Sequence, residues 1–362
     1  MKKASALFTI FCLLLLFITG CSQSQQTSST QPSAAASNAE ASTSGADAST
    51  TPKAQVVKLI AAHVQTVPDA AFTQSMHLFA DRVSEISDGQ MNIEVHDGTL
   101  GTNETEIIDK LVMGAVDITV ASPGFMSKLG VPEVDMFSLP YLIESTDHFG
   151  RVFSGEVGKD FADIVYEKTN QDFKVIGYWS AGIRSYYGKK PVNSPDDLKG
   201  VKIRTQSAPV QLEFWKSCGA IPTTVAFAEM YQALQQGVID AAENDPLTVY
   251  QNEHHKTENG KYISETGHDI SPRLFMIKGK VWEGLSAEQQ GWIQAAADEA
   301  SAHNIQYNID MAQEARQKIA EDGAVINEVD IAPFVEIAIG IQDEFAAEQS
   351  FENWLEKIRA AR

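Results

Sequence analysis

The pattern of hydrophobic and polar residues predicts a strand, a helix and a second strand early in the apolar part of the chain. Residues 56–60 form a β-branched apolar run, which is typical of a buried strand. Large apolar residues then recur at spacings of four and three, as on one face of a helix: Phe72, Met76, Phe79, Val83 and Ile86. Gly89 follows where a helix commonly ends, and residues 91–95 alternate as a strand. This order indicates a βαβ unit in an α/β fold with mostly parallel sheets flanked by helices.

Residues 194–204 predict a capped helical turn followed by a strand. Ser194 suits an N-cap and Pro195 the first helical position, and the acidic pair after them suits the positive end of the turn. Gly200 ends the turn, and residues 201–204 alternate in polarity. Arg204 thus falls near the carboxyl end of a strand, which is where open α/β sheets place their ligands.

Two further features predict a two-lobed body. The pattern Leu-x-x-Gly-x-x-Asp occurs at residues 111–117 and again at 234–240, each readable as a helix end, a glycine cap and a strand entry. Ser286 and Gln289 form a possible capping box that opens a long helix ending near Glu321. At ~1.5 Å per residue this helix is on the order of 50 Å long, so we expect it to span both lobes. Residues 334–345 and 351–358 predict C-terminal helices.

The first residues predict export. A basic start and a short apolar run end at residues 18–21, Ile-Thr-Gly-Cys, which is typical of a secretory signal peptide over residues 1–20. The run is too short to cross a ~30 Å hydrocarbon layer as a helix. Residues 18–21 resemble the lipobox of bacterial lipoproteins, which implies that Cys21 is acylated; an ordinary cleaved signal is the alternative. Residues 21–54 are rich in Ser, Thr, Ala and Gln and predict a flexible tether.

Charge and cysteine content narrow the possible functions. The formal net charge is −20, and it becomes −22 without Lys2 and Lys3, which disfavours binding to nucleic acid or to anionic lipid. An anionic ligand must therefore be held by local cations. Once Cys12 and Cys21 are accounted for, only Cys218 remains, so no internal disulfide is expected. We expect Cys218 to be a small buried residue and not a nucleophile.

Catalysis has little support in the sequence. It contains no Gly-x-Ser-x-Gly elbow, no phosphate-binding glycine loop and no His-Glu-x-x-His motif. His254 and His255 are adjacent and diverge by ~100° on a helix, so we expect solvated surface residues and no shared metal. His63 and His268 stand alone, a setting in which histidines often fill structural roles, although His63 is kept among the candidate ligand residues. No metal or redox cofactor is indicated.

Three polar residues form the strongest candidate site. Arg184 stands beside aromatic residues, Arg204 ends a predicted strand, and Asn244 follows the second copy of the repeat. A guanidinium can hold a carboxylate through two parallel hydrogen bonds, and an asparagine beside it suits a ligand with hydroxyl groups. The alternative is that each arginine pairs with an acidic neighbour at the surface.

A family resemblance covers nearly everything after the tether. The chain resembles the DctP-type solute-binding proteins of the tripartite ATP-independent periplasmic (TRAP) transporters. The motifs that carry it occur in order: Leu-Gly at 100–101, Gly-Ala-Val-Asp at 114–117, Leu-Pro-Tyr at 139–141, Gly-Ile-Arg at 182–184, Ser-Pro-Asp-Asp-Leu-Lys-Gly-Val-Lys-Ile-Arg at 194–204, Gly-Ala-Ile-Pro-Thr at 219–223, Phe-Ala-Glu-Met-Tyr-Gln-Ala-Leu-Gln-Gln-Gly-Val-Ile-Asp at 227–240, Glu-Asn at 243–244 and Leu-Ser-Ala-Glu-Gln-Gln at 285–290.

The resemblance implies which residues contact a ligand. The position of Arg204 forms the main salt bridge to the ligand carboxylate in that family, those of Arg184 and Asn244 line the cleft, and that of Phe227 packs on the ligand. The segment before Gly114 is one residue longer than the commonest family form. Both Asn103 and Glu104 are therefore candidates for the inward-facing residue of the first lobe.

The resemblance also implies a domain division and a role. We expect lobe 1 at residues 55–180 plus 270–308 and lobe 2 at residues 181–269 plus 309–362, closing on the ligand around a hinge that contains the long helix. The chain is expected to be a monomeric, extracytoplasmic protein, lipid-anchored to the outer face of the cell membrane or else periplasmic, that passes a small organic acid to TRAP membrane subunits. A sugar acid is favoured, a C4-dicarboxylate follows if Arg184 binds a second acid group, and a sensory protein or an exported enzyme stays an alternative.

Overall fold

The computed structural model describes residues 56–270 and 272–362. The predicted signal peptide, Cys21 and the tether at 21–54 lie outside the described residues. The described strands are β1 (Val57–His63), β2 (Met91–Asp97), β3 (Ile118–Ala121), β4 (Phe173–Ser180), β5 (Arg184–Gly188), β6 (Lys202–Arg204), β7 (Ile221–Thr223), β8 (Ala241–Asn244), β9 (Tyr262–Asp269), β10 (Pro272–Lys278) and β11 (Val325–Glu328). The described α-helices are α1 (Ala71–Ile86), α2 (Glu104–Met113), α3 (Gly124–Lys128), α4 (Thr146–Phe153), α5 (Glu156–Lys168), α6 (Pro209–Ser217), α7 (Met230–Gln235), α8 (Pro246–Gln251), α9 (Gly279–Gly284), α10 (Ala287–Glu321), α11 (Ala332–Gln349) and α12 (Glu352–Ala360).

The first sheet contains the predicted βαβ unit. Its strand order is β2-β1-β3-β10-β4, with β1 parallel to β2 and to β3. Helix α1 joins β1 to β2 and buries Phe72, Met76 and Phe79 against the sheet, as the spacing predicts. Burial of each such side chain contributes roughly 1.5–3 kcal/mol, which fixes the helix in place despite an N-cap, Ala70, that has no capping side chain.

The second sheet has the order β11-β9-β5-β8-β6-β7. Strand β6 is parallel to β7 and β8, whereas β5 is antiparallel to β8 and β9. The α/β class is confirmed, but both sheets are mixed where mostly parallel sheets were expected. The reason is that β4 of the first sheet continues into β5 of the second, and β9 of the second sheet continues into β10 of the first. The chain therefore passes between the sheets twice, in opposite directions, and these strands pair antiparallel in each sheet, β4 with β10 and β5 with β9.

The repeat at residues 111–117 and 234–240 is a structural repeat. Gly114 and Gly237 adopt φ values of +79° and +70° at the ends of α2 and α7. The Asp117 amide donates to the carbonyl of Ile60 at 2.8 Å, and its carboxylate accepts from the Ile60 amide at 2.8 Å. Asp240 makes the same pair of bonds to Lys202, at 2.8 and 3.0 Å. Each aspartate thereby pins the entry of a strand to its parallel neighbour.

Helix α10 is the long helix that the capping box predicts. The Ser286 hydroxyl accepts from the Gln289 amide at 3.2 Å, and the Gln289 side chain accepts from the Ser286 amide at 2.9 Å. The first half of α10 packs Ile293 on the core of the first sheet, and Ile319 near its end joins the core of the second sheet. The helix therefore spans both lobes. No helix within residues 56–270 and 272–362 has the length and apolar character of a membrane span.

The C-terminal helices do not follow the predicted division of lobes. The start of α11 joins the core of the second sheet through Phe334, but α12 packs on α5 of the first lobe, with the Trp354 and Phe161 rings 4.8 Å apart. The Ile358 carbonyl also bonds to His148 of α4, at 2.8 Å. The assignment of all of residues 309–362 to lobe 2 is therefore wrong for the last helix, whose apolar face finds its partners on the first lobe.

Candidate ligand-binding cleft

A cleft of about 540 Å³ lies between the two sheets, a size that suits a small organic ligand. Its walls come from three sources. The first lobe contributes the loops after β1, β2 and β3 and part of β10, the second lobe contributes the start of β5 and the loops after β6, β7 and β8, and α10 reaches it at Asn308. Six of the seven candidate ligand residues line it: Asn103, Glu104, Arg184, Arg204, Phe227 and Asn244.

Arg204 presents a cation to the cleft. It ends β6 as predicted, is half-buried, and its Nε donates to the Val225 carbonyl at 3.1 Å. Among the described residues, no carboxylate oxygen lies within 4.0 Å of its guanidinium nitrogens. Burial lowers its pKa, and of the neighbouring charges Glu243 opposes this shift while Arg184 adds to it. A ligand carboxylate can supply the close counterion that the protein does not.

Arg184 is buried beneath the cleft surface and is held by the protein. Its Nε donates to Glu243 Oε2 at 2.6 Å, its Nη2 to the Glu243 carbonyl at 2.7 Å and its Nη1 to Asn244 Oδ1 at 2.5 Å. Asp269 Oδ2 lies 3.8 Å from Nε. Burial disfavours the charge of Arg184, but Glu243, and after it Asp269 and Asp245, together outweigh this, so the pKa is raised. The expected acidic partner therefore exists for Arg184, in the protein interior and not at the surface.

Glu243 is the partner that sequence analysis did not single out. Burial alone would raise its pKa, but the charge of Arg184 and hydrogen bonds from His268 and Arg184 hold it at about 2. Thr205, next to Arg204, lies 3.4 Å from Glu243 Oε1. The acidic side chain thus ties the strand that carries Arg184 to the loop after β6.

Asn244 is oriented by this network. Its Oδ1 accepts from Arg184 and from the Asp245 amide, at 2.5 and 3.2 Å. Its Nδ2 makes no hydrogen bond to any described residue. Because the oxygen is occupied, the amide offers the cleft a donor and not an acceptor.

Phe227 supplies apolar surface and rests on a buried histidine. The rings of Phe227 and His254 are 6.5 Å apart at a steep angle, and His254 Nδ1 lies 2.9 Å from the Tyr187 hydroxyl. Burial, and then the charge of Arg204, lowers the pKa of His254 to about 3. His255 is also buried, with Nε2 2.9 Å from Asp322. The expectation that both histidines are solvated surface residues is wrong, because each has a specific partner inside the fold.

Asn103 and Glu104 both line the cleft but differ in what their side chains do. Asn103 caps α2: its Oδ1 accepts from the Glu106 amide at 3.1 Å and its Nδ2 donates to Glu106 Oε1 at 2.9 Å. Glu104 Oε2 accepts from the Ser122 amide at 3.0 Å and from its hydroxyl at 2.5 Å. Glu104 Oε1 has no hydrogen bond to a described residue, so Glu104 keeps an acceptor for a ligand.

Arg273, which the sequence patterns do not single out, lines the cleft from β10 and is 4% exposed. Burial lowers its pKa, and Glu104 is the largest opposing influence. Its Nη1 donates to the Pro272 carbonyl at 3.1 Å. The signal that could have found it is an arginine at the start of a strand whose next four residues, 274–277, are all apolar. Gln65, Thr205 and Gln206 line the cleft as well and carry no comparable signal.

His63 does not line the cleft. It ends β1, is 1% exposed, and its Nε2 lies 3.1 Å from Asp97 Oδ1. The prediction that His63 contacts the ligand directly is therefore corrected, because its ring faces Asp97 behind the cleft wall. Cys218 is buried in the core of the second sheet, and burial raises its pKa to about 12. No group of three or more metal-binding side chains occurs within the part of the chain that the structure describes.

Fold and site together define a two-lobed α/β binding protein whose interlobe cleft is lined by the half-buried cation Arg204. The chain belongs to the bacterial extracellular solute-binding proteins of family 7, whose family model (DctP) matches residues 62–349.

Solved structures agree with this assignment. A TRAP periplasmic solute-binding protein from Chromohalobacter salexigens, with bound D-glucuronate, is 30% identical with a TM-score of 0.78 and covers 84% of this chain and 100% of that one. One from Sulfitobacter sp. NAS-14.1, with bound β-D-galacturonate, is 28% identical with a TM-score of 0.77 and covers 83% and 98%. One from Sulfurospirillum deleyianum, with bound succinate, is 26% identical with a TM-score of 0.77 and covers 84% and 99%.

Proposed function

We propose that this protein captures a sugar acid of the uronate class in the cleft and delivers it to the membrane subunits of a TRAP transporter. The observation that carries the proposal is Arg204, a half-buried cation facing the cleft with no carboxylate of the described chain within 4.0 Å. A charge-assisted pair with a ligand carboxylate offsets the cost of its burial and is strong in a site that excludes water. The uronates bound by two of the structural neighbours support the ligand class.

Arg184 gives no support for a second carboxylate in the ligand. Arg184 is fixed by Glu243 and Asn244, so it is not placed to bind a second acid group. Opposite Arg204, the first lobe contributes Glu104, whose Oε1 can accept a hydroxyl group but repels a carboxylate. Asn244 Nδ2 can donate to another hydroxyl. The succinate bound by one neighbour keeps a C4-dicarboxylate as the alternative to test.

The proposal treats the ligand as unchanged by binding. Family 7 members are solute-binding proteins, and Cys218, which an exported enzyme would need at its surface to use as a nucleophile, is buried in the second-sheet core. Binding energy is then used to close the two lobes, and the closed form is what a membrane partner recognises. A sensory protein that presents its ligand to a receptor uses the same cleft and differs in its partner.

Anchoring through Cys21 belongs to the same proposal. We expect a monomer held at the outer face of the membrane by an acylated Cys21 and reaching the transporter on the tether at 21–54. Radiolabelled palmitate should appear in the wild-type protein and not in Cys21→Ala, and that variant should be released into the soluble fraction. Equal labelling of both would refute the lipid anchor and leave the binding proposal untouched.

Calorimetric titration of the purified protein tests the function. D-glucuronate and D-galacturonate are compared with succinate and with D-glucose and D-galactose, which match the uronates but lack the carboxylate. We expect the uronates alone to bind and to raise the melting temperature, since a ligand of the folded state stabilises it. Tighter binding of succinate would favour the dicarboxylate alternative, and binding of none of the acids would refute the proposal. Chromatography of the recovered ligand should show no new product.

A further inference from the structure

We propose that His63 is a positioning residue: held by Asp97, it fixes Gln65 and thereby the edge of the ligand cleft between β1 and α1. The effect on ligand affinity rests on the proposed function, whereas the fixing of Gln65 does not. The inference starts from a histidine that is 1% exposed, does not line the cleft, and yet stands two residues before one that does.

The first part of the argument is the pairing of His63 with Asp97. The two residues face each other in register at the carboxyl ends of the parallel strands β1 and β2. His63 Nε2 lies 3.1 Å from Asp97 Oδ1, a close contact to the carboxylate without hydrogen-bond geometry, and His77 Nε2 of α1 makes a hydrogen bond to Asp97 Oδ2 at 2.9 Å. The contact with His63 is the largest influence on Asp97 and lowers its pKa to about 2. The carboxylate is therefore ionised and can only accept.

The second part concerns which nitrogen of His63 carries the proton. The amide of Gln65 donates to His63 Nδ1 at 3.2 Å. A ring nitrogen that accepts carries no hydrogen, so the proton is assigned to Nε2, the nitrogen that faces the Asp97 carboxylate. Asp97 thus favours the one tautomer in which Nδ1 can hold the Gln65 amide.

The third part links Gln65 to the cleft. Its side-chain Oε1 accepts from the amide of Phe72 at 2.9 Å, in the first turn of α1. The N-cap of α1, Ala70, has no side chain that can do this, so Gln65 satisfies one of the orphan amides of the helix start. Gln65 and Phe72 both line the cleft. The chain of contacts therefore runs from Asp97 through His63 and Gln65 to the backbone of the first turn of α1, at the edge of the cleft.

The neighbouring loop leaves this segment little freedom. Gly98 follows Asp97 with φ +63°, and a Cβ there would lie 2.2 Å from the Thr66 side chain and 3.2 Å from the Gln65 carbonyl oxygen. The amide of Gly98 also donates to the His63 carbonyl at 2.9 Å. Because the loop after β2 packs this closely on residues 65–66, a change at His63 is transmitted to Gln65.

Two substitutions at His63 separate its two nitrogens. Asparagine places an oxygen near the position of Nδ1 and keeps an acceptor for the Gln65 amide, whereas glutamine reaches toward Asp97 and keeps only the Nε2 contact. His77→Gln is the matched control, because it disturbs the other histidine on Asp97 and does not touch Gln65. Asp97→Ala, at a side chain that is 32% exposed, replaces His63→Gln if that variant does not fold.

Hydrogen exchange in the ligand-free protein tests the fixing of Gln65 without reference to any ligand. In His63→Gln the amides of Gln65 and Phe72 should exchange about tenfold faster than in the wild type, as expected when a local hydrogen bond is lost. The remaining amides of the first sheet should keep their rates, which a general loss of stability would not allow. In His63→Asn and His77→Gln both amides should stay protected. Unchanged exchange of both amides in His63→Gln would overturn the proposal.

Titration with D-glucuronate then measures the consequence for binding. We expect His63→Gln to raise Kd by about five- to tenfold and His63→Asn to stay within about threefold of the wild type, from the energy of one hydrogen bond. Equal loss in the two variants, or none in either, would overturn the link to ligand affinity. If the wild type itself does not bind D-glucuronate, the proposed ligand fails while the exchange experiment still decides the role of His63.

Discussion

Two arginines of the second sheet, two strands apart, face different surroundings. Arg184, on β5, is buried and donates to Glu243 and to Asn244 at distances of 2.5–2.7 Å. Arg204, at the end of β6, donates once, to the Val225 carbonyl, and faces the cleft. Strand β8, which carries Glu243 and Asn244, lies between the two.

The difference separates a cation that holds other residues of the site in place, Arg184, from a cation that is available to a ligand, Arg204. The charge of Arg184 is compensated within the protein and serves to orient Asn244. The charge of Arg204 is opposed by burial without a carboxylate in direct contact, which is the condition under which an external anion gains most. The same residue type, two strands apart, is therefore expected to contribute to stability in one case and to affinity in the other.

The largest expected effect is the loss of stability in Arg184→Met. Removing the arginine leaves Glu243 buried without its main partner, which should lower the free energy of unfolding by about 3–5 kcal/mol. Urea denaturation followed by circular dichroism measures this. The double variant Arg184→Met with Glu243→Gln should recover a large part of the loss, since no uncompensated charge remains. A double variant as unstable as the single one would show that the pair matters for packing and not for charge.

Arg204→Gln is expected to act on affinity and to spare stability. Truncating one partner of a desolvated charge pair costs ~2–5 kcal/mol in binding, so Kd for the cognate acid should rise by roughly 100-fold. The free energy of unfolding in the absence of ligand should stay within about 0.5–1 kcal/mol of the wild-type value. Arg204→Lys keeps a charge without the bidentate geometry and should fall between the two. Normal binding by Arg204→Gln would contradict the assignment of this residue.

Low pH should weaken the ion pair between Arg184 and Glu243, because Glu243 becomes protonated. Its pKa is about 2 in the folded protein against an ordinary value of 4.5, so the pair stabilises the fold above pH ~4.5, and this contribution is lost as the pH falls toward 2. The loss is on the order of 3 kcal/mol for a shift of this size. Asp97, with a pKa of about 2, adds to the same window. Between pH 7 and pH 2.5 the free energy of unfolding, measured by urea denaturation, should therefore fall less in Glu243→Gln than in the wild type. An equal fall in the two proteins would exclude Glu243 as the source.

Local patterns predicted the elements that depend on neighbours in sequence. The spacing of Phe72, Met76 and Phe79 placed α1, and the pair Ser286–Gln289 placed the start of α10, because helix faces and caps are set within a few residues. The position of Arg204 at a strand end also followed from alternation over four residues. The structure places these features as predicted.

The surroundings of the polar groups could not be read in the same way. Glu243 lies 59 residues from Arg184 in the sequence, and Phe161, on which α12 packs, lies far from α12. Neither contact therefore produces a local pattern in the sequence. His254 and His255 looked like solvated residues because their partners, Tyr187 and Asp322, are equally distant. The resemblance to a family supplied the candidate residues, but it did not show which of them are already paired with another side chain of the protein.

Asn244 belongs to both arginine environments and gives the smallest but most diagnostic effect. Its Oδ1 is held by Arg184, and its Nδ2 has no hydrogen bond to a described residue and is left for a ligand. Asn244→Leu, of similar volume, should therefore lose about 1 kcal/mol of unfolding free energy and roughly fivefold in affinity at the same time, one hydrogen bond on each side. Denaturation and calorimetry on the same preparation measure the two losses. A loss of stability without a loss of affinity would mean that Asn244 serves only to hold Arg184. Of Arg184, Arg204 and Asn244, Arg204 alone would then contact the ligand.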